Sequence, residues 1–278
     1  MSQIGIMQGR LAPPVEGRFQ CFPRDHWRDE FPRAADAGLS CIEWIYDLYG
    51  ADVNPLGHDA GVAEMKTLAM QHGVTVRSLV ADYFMDKPFL RATPSEVAEL
   101  ASHLEWLLPR CALAGIERIV LPFVDASRIE TPLEQDHVIA ILERVLPVAQ
   151  RAGVELHLET SLAPQPFAKL LTALPHPMLK ANYDSGNSAS LGYRPADEFA
   201  AYGQQIGSIH IKDRVRGGGT VPLGTGSADF DCLFECIRKV GYAGDYILQV
   251  AREVPGNEVI WAAQNRQFVE RRLKLLDQ

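Results

Sequence analysis

The chain has 278 residues, 47% of them apolar and 22% charged, a balance that excludes disordered, collagen-like and mucin-like chains and leaves enough apolar side chains for a substantial core. With 27 Lys and Arg against 35 Asp and Glu the formal charge is −8, and no block of like sign concentrates it. A nucleic-acid partner is therefore disfavoured, because phosphate binding wants a basic face. The opening MSQIGIMQGRL breaks any apolar leader with Gln3, Gln8 and Arg10, and no later run nears the roughly 18 apolar residues of a membrane span. The expectation is a cytoplasmic protein with no membrane partner. Cys21, Cys41, Cys111, Cys232 and Cys236 show no paired CxxC spacing for zinc or redox work and read as buried reduced thiols.

Short β-rich runs alternate with amphipathic stretches from end to end. The predicted strands are Ile4–Gln8, Cys41–Ile45, Thr75–Ala81, Arg118–Pro122, Glu155–Glu159, Leu179–Tyr183, Ser208–Ile211 and Tyr246–Val250. The predicted helices are Trp27–Ala37, Gly61–His72, Pro94–Ala114, Pro132–Ala152, Pro166–Ala173, Pro195–Tyr202, Phe230–Val240 and Glu258–Leu276. Gly38, Gly73, Gly115, Gly153 and Gly241 each stand where a helix should stop before the next strand. Eight βα units in a chain of this length predict a single α/β domain over residues 1–278, a (β/α)8 or TIM barrel. An open doubly wound sheet would also alternate, but its Gly-rich phosphate turn is missing after the first strand, where the chain reads Gln8-Gly9-Arg10-Leu11-Ala12-Pro13-Pro14. The longest irregular stretches, 9–23 and 213–228, follow strands and so fall on the C-terminal mouth of the barrel, where barrel chemistry sits.

The informative residues are thus the polar ones that close apolar strands. Period-two alternation puts His157 and Glu159 on one side of the fifth strand, toward the interior. Glu159, Asp184 and His210, at three consecutive strand ends, would converge to give two hard oxygen ligands and one imidazole for one divalent ion, of the Mn, Mg, Co or Zn kind. Taken singly, such a His can be a hydrogen-bonded core residue and such a carboxylate a helix cap. Glu43 with Trp44 and Asp82 with Tyr83 close the second and third strands, where carboxylates could bond sugar hydroxyls and a ring could pack on a sugar face, or both could cap and pack loops. Gln8 and Arg10 follow the first strand and could reach a substrate oxyanion, and Lys212 shares the side of His210. Gly217, Gly218, Gly219, Gly224 and Gly226 make a lid, a phosphate contact or a plain turn.

The runs IGIMQGRL, CIEW, LHLET, NYDSGN, IHIKD and VPLGTGSADF resemble the xylose isomerase-like barrel superfamily, and within it the sugar phosphate isomerases and epimerases. The resemblance implies a metal held by Glu159, Asp184, His210 and the residue closing the eighth strand, here Gln249. It also implies a substrate contact from the arginine six residues past the strand-seven histidine, which is Arg216. Two positions depart from the pattern: Gln249 replaces a glutamate and cannot take a proton at neutral pH, and Asn187 stands where many members have histidine. Glu253 lies too far along to replace the missing acid and is expected in the loop.

The function so implied is a metal-dependent isomerase or epimerase of a small sugar or sugar phosphate, working by proton transfer through an enediolate, with Glu159 as base and Gln249 completing the shell. Lys212, Arg216, Asn187, Glu43, Asp82, Gln8, Arg10 and His157 are the expected substrate contacts. The alternatives are an inosose dehydratase-like lyase and a non-catalytic sugar-binding barrel; self-association into a homo-oligomer is left open.

Overall fold

The computed structural model describes residues 3–252 and 254–276. Eight parallel strands close on themselves: β1 (Ile4–Met7), β2 (Cys41–Ile45), β3 (Thr75–Val80), β4 (Arg118–Phe123), β5 (Glu155–Thr160), β6 (Leu179–Asp184), β7 (Ile206–Ile211) and the last barrel strand, Tyr246–Leu248. Between the seventh and eighth barrel strands the chain forms an antiparallel hairpin of β8 (Asp213–Arg214) and β9 (Thr220–Val221), so the last barrel strand is β10. The circular order is β1-β10-β7-β6-β5-β4-β3-β2, with β1 pairing β10 to close the ring. Close approach of β1 to β2 requires a glycine, since a Cβ on Gly5 would lie 2.3 Å from Cys41 Sγ.

Ten helices surround this sheet among the described residues: α1 (Glu30–Asp36), α2 (Asp59–His72), α3 (Tyr83–Asp86), α4 (Pro94–Ala114), α5 (Pro132–Ala152), α6 (Pro164–Ala173), α7 (Ser185–Leu191), α8 (Pro195–Tyr202), α9 (Phe230–Val240) and α10 (Glu258–Leu276). The starts of α4 and α5 follow directly from the sequence. Thr93 and Thr131 accept from the backbone N–H of Glu96 and Glu134, whose carboxylates return the bond, and a proline occupies the first turn of each helix. Helices α2, α4, α5 and α9 end on Gly73, Gly115, Gly153 and Gly241, and Gly38 follows α1; all five have positive φ, from 64° to 84°.

Two short helices are absent from the sequence reading, α3 and α7. Both begin at strand-end acids whose neighbours read as turn residues. The strand Tyr246–Leu248 stops before the expected Val250, because the Val250 carbonyl turns to accept from Arg10 Nε at 2.9 Å. Glu253 lies outside the described residues. The five cysteines are free and four of them are buried. Among the described residues no helix is long and apolar enough to cross a membrane.

Candidate metal centre and active site

Three neighbouring strand ends deliver Glu159 from β5, Asp184 from β6 and His210 from β7, and one ligand atom from each lies within 4.8 Å of the others. The register sets Asp184 directly opposite His210, after an irregularity that gives β7 one extra residue, Gly207, against the Ala181–Asn182 step of β6. Asp184 serves two structures at once. Its Oδ1 accepts from the N–H groups of Gly186 and Asn187 at 2.8 and 2.7 Å and so caps α7, while Oδ2 faces His210 Nδ1 at 3.9 Å. His210 Nδ1 also stands 3.5 Å from Glu159 Oε2.

Behind this cluster His210 Nε2 meets Glu43 Oε2 at 2.7 Å, both side chains fully buried. Glu43 sits in regular register opposite Met7 of β1, and the extra residue at this level lies in β3, between Thr75 and Ser78. Burial disfavours a charged imidazole, yet the Glu43 and Glu159 carboxylates outweigh it and raise His210 to about 10. Three enclosed carboxylates therefore draw one positive charge into the centre, as a proton on His210 or as a divalent ion in its place. The donor set, two carboxylates and an imidazole whose far nitrogen is held by a carboxylate, fits such an ion. Replacing Glu43 with Gln is expected to lower divalent-metal affinity about 10–100-fold. Competition against a fluorescent chelator measures this, and unchanged affinity would dissociate Glu43 from the centre.

The centre opens into a cavity of about 230 Å³, walled by Phe19, Gln20, Asp82, Glu159, Asn187, Lys212, Arg214 and Gln249 among others. Asn187 Nδ2 donates to Glu159 Oε1 at 2.5 Å and its Oδ1 accepts from Arg214 Nη1 at 2.9 Å, so an arginine reaches Glu159 through one amide. Lys212 Nζ lies 3.5 Å from Asp184 Oδ2 and 3.3 Å from Gln249 Oε1. The lysine stem crosses the start of α7 only because residue 186 is glycine; a Cβ there would sit 2.6 Å from Lys212 Cγ. Gln249 Nε2 donates in turn to Gln20 Oε1 at 3.1 Å.

Several expected contacts stand elsewhere. Arg216 packs over Gly192 and lines a separate cavity with Tyr193, Arg194 and Asp229, while Arg214 enters the cavity beside Glu159. Glu43 holds His210 instead of facing a sugar, and Trp44 is fully buried among Phe22, Trp27 and Phe31. Tyr83 stacks on His103 at 4.4 Å. His157 lies under the centre, bonded to Ser208 Oγ at 2.7 Å and Glu155 Oε2 at 2.8 Å, and Ser208 continues through Asn182 to Glu159. Gln8 is fully buried, its Oε1 accepting from Ile45 N at 2.9 Å. Arg10 spends its guanidinium on the loop after β1, donating to Phe19 O and Gln20 Oε1, both at 3.0 Å. Glu30 of α1 fixes the root of that loop by accepting from Gly9 N at 2.7 Å and Leu11 N at 3.3 Å. Phe19, Gln20 and Arg214 are among the lining residues that the sequence reading missed; of these three Arg214 alone carried a signal, since alternation from His210 and Lys212 puts it on their side.

The profile of the xylose isomerase-like TIM barrel matches residues 31–271. The chain belongs to that family. A curated relative, the L-ribulose-5-phosphate 3-epimerase UlaE of Salmonella paratyphi A, is 29% identical over 138 residues, 48% of this chain and 49% of the relative. The matched region thus spans about half the length of that relative. Among solved structures, an L-ribulose 3-epimerase superposes with a TM-score of 0.78 at 17% identity, covering 100% of this chain and 96% of the other. The IOLI protein with a bound zinc atom gives 0.76 at 14% identity, covering 99% of both chains. These two likenesses establish the fold of this xylose isomerase-like barrel.

Proposed function

We propose that this barrel is a divalent-metal-dependent epimerase or isomerase of a small keto-sugar or its phosphate, acting by proton transfer through an enediolate. The carrying observation is the convergence of Glu159, Asp184 and His210 in a cavity whose remaining wall supplies Lys212, Arg214 and Asn187. The similarity to a ribulose-phosphate epimerase supports the choice of substrate class. Glu159, Asp184 and His210 would hold the ion, which when bound would supply Lewis acidity to substrate oxygen and so acidify the adjoining C–H. Glu159 takes the proton from that carbon. Asn187 holds one Glu159 oxygen, which fixes the orientation of the other, and the Arg214 guanidinium polarises this amide. Lys212 and Arg214 bind an anionic or hydroxyl-rich end, and Gln249 accepts a hydrogen bond through its carbonyl but moves no proton.

Metal-loaded protein incubated with a panel of keto- and aldo-sugars and their phosphates tests the assignment. An isomer of unchanged mass is expected, whereas loss of water would mark a lyase. No product on any sugar with metal bound would leave a binding protein. Because Gln249 is neutral, Gln249→Glu is expected to tighten metal binding at least about fivefold, the effect of about 1 kcal/mol of added attraction even at water-like screening. Isothermal titration with Mn measures it, and equal affinity would place residue 249 outside the coordination shell.

A further inference from the structure

We propose that Ser208 and His157 are positioning residues for proton transfer, forming a buried string of hydrogen bonds that holds the Asn182 amide in the orientation Glu159 needs. The inference rests on the epimerase reading above, in which Glu159 takes the proton. A barrel interior is ordinarily filled with branched apolar side chains, and a polar group enclosed there costs stability unless it is paired. In this barrel Asn182 is 3% exposed, and Ser208 and His157 are fully buried.

The direction of each bond is fixed from the Glu159 end. An ionised carboxylate only accepts, so the Asn182 atom that faces Glu159 Oε2 at 3.3 Å is the donor Nδ2. Asn182 Oδ1 is left to accept, and does so from Ser208 Oγ at 2.6 Å. That bond uses the one hydroxyl proton, and Ser208 therefore accepts from His157 Nδ1 at 2.7 Å. His157 Nε2 ends the string 2.8 Å from Glu155 Oε2, on a side chain 37% exposed at the start of β5. Residues 155, 157 and 159 alternate onto one side of β5, so the string runs from the foot of the barrel to its mouth.

The backbone makes room for this string. Ala181 stands opposite Ile206 and Asn182 opposite Ser208, so the extra residue of β7, Gly207, is what brings Ser208 beside Asn182. A Cβ on Gly207 would lie 2.5 Å from His157 Cε1 and 2.7 Å from its Nε2, so the same glycine also seats the ring. An asparagine amide turned end for end keeps nearly the same shape, but here it would aim a carbonyl at a carboxylate. The Ser208 hydroxyl, itself held by His157, opposes that turn. With Asn187 Nδ2 on Oε1 at 2.5 Å and Asn182 Nδ2 on Oε2, both oxygens of Glu159 are held, and the plane in which it meets the substrate C–H is set.

The test uses the full-length protein at saturating Mn on the panel of keto- and aldo-sugars and their phosphates, with circular dichroism and Mn stoichiometry showing that each variant is folded. Ser208→Ala and His157→Leu are expected to lower kcat about 10–100-fold with KM unchanged, the cost of a misplaced reacting group. Ser208→Thr and His157→Asn, which keep the hydroxyl and the N–H, should recover most of that loss. Because Ser208 acts through Asn182, Ser208→Ala should cost nothing further in an Asn182→Ala background, whereas independent effects would add. The 15N spectrum of the parent, which needs no variant, should show a proton on His157 Nδ1. Parent-like kcat in both Ser208→Ala and His157→Leu, additive losses with Asn182→Ala, or a bare Nδ1 would each overturn the positioning role and leave the epimerase reading standing. A parent that turns over no sugar of the panel fails the epimerase reading, and this inference with it.

Discussion

Glu159→Gln is expected to reduce turnover at least a hundredfold at saturating metal, with the fold unchanged. The amide keeps the shape that Asn182 and Asn187 enclose but cannot accept a proton, and removing a general base costs about 10²–10⁴-fold in rate. Part of the loss will come from weaker metal binding, because the ion loses one of its two carboxylates. Turnover measured across a Mn titration separates the two: a base is lost at every metal concentration, whereas a ligand alone is recovered at high metal. Activity above a tenth of the parent's at saturation would show that Glu159 holds metal and does not move the proton.

The second large effect belongs to the opposite end of the barrel and to stability. Asp245, at the foot of β10, accepts from Arg118 Nη2 at 2.6 Å and from Gln3 N at 3.0 Å, and Arg77 Nη1 lies 3.5 Å away. Only 8% of the Arg118 side chain and 3% of the Asp245 side chain are exposed. Asp245→Ala would strand the guanidinium without its partner, a change that costs about 3–5 kcal/mol. In a chain of this size that corresponds to a thermal midpoint lowered on the order of 10 °C. Calorimetry or denaturant titration measures it. Metal affinity and turnover of the folded protein should stay at the parent's values, since the pair lies at the far end of the strands from the mouth. A variant of undiminished stability would mean that water or Glu43 takes over the charge.

What could be read from the sequence, and what could not, follows from how far each signal reaches along the chain. The barrel was legible because its signals are local: β-rich runs, prolines at helix starts, and glycines whose positive φ ends a helix. The cluster of Glu159, Asp184 and His210 was legible for a similar reason, as each is a polar residue closing an apolar run, and the circular order of strands does the rest. Glu43 reads as a substrate contact because alternation along β2 aims it into the barrel without saying which residue of another strand, here His210, it meets there. Arg216 is the arginine that the resemblance implies, because spacing from a motif counts residues and not direction. The hairpin pairs Arg214 with Thr220, and Gly217 then turns at φ 65°, so Arg216 leaves the side shared by His210, Lys212 and Arg214. Phe19 and Gln20 lie in an irregular loop whose path is set by Glu30, Arg10 and Arg252, contacts with no periodic trace in the sequence.

The closure of β1 on β10 also fixes when the protein can become itself during synthesis. Gln3 and its partner Asp245 are 242 residues apart, and the loop carrying Gln20 meets Gln249 across a comparable span. At about 5–20 residues per second, the first strand waits for tens of seconds before its neighbour leaves the ribosome. Until then β1 offers one unpaired edge, and the growing sheet another, to any other strand in reach. The roof of the cavity forms only with that last strand, so a nascent chain that already holds Glu159, Asp184 and His210 still lacks the Gln20–Gln249 bridge. Shielding of the first strand by a chaperone, or slow release of the last segment, should therefore govern the yield of folded protein more strongly than the intrinsic stability of any single βα unit.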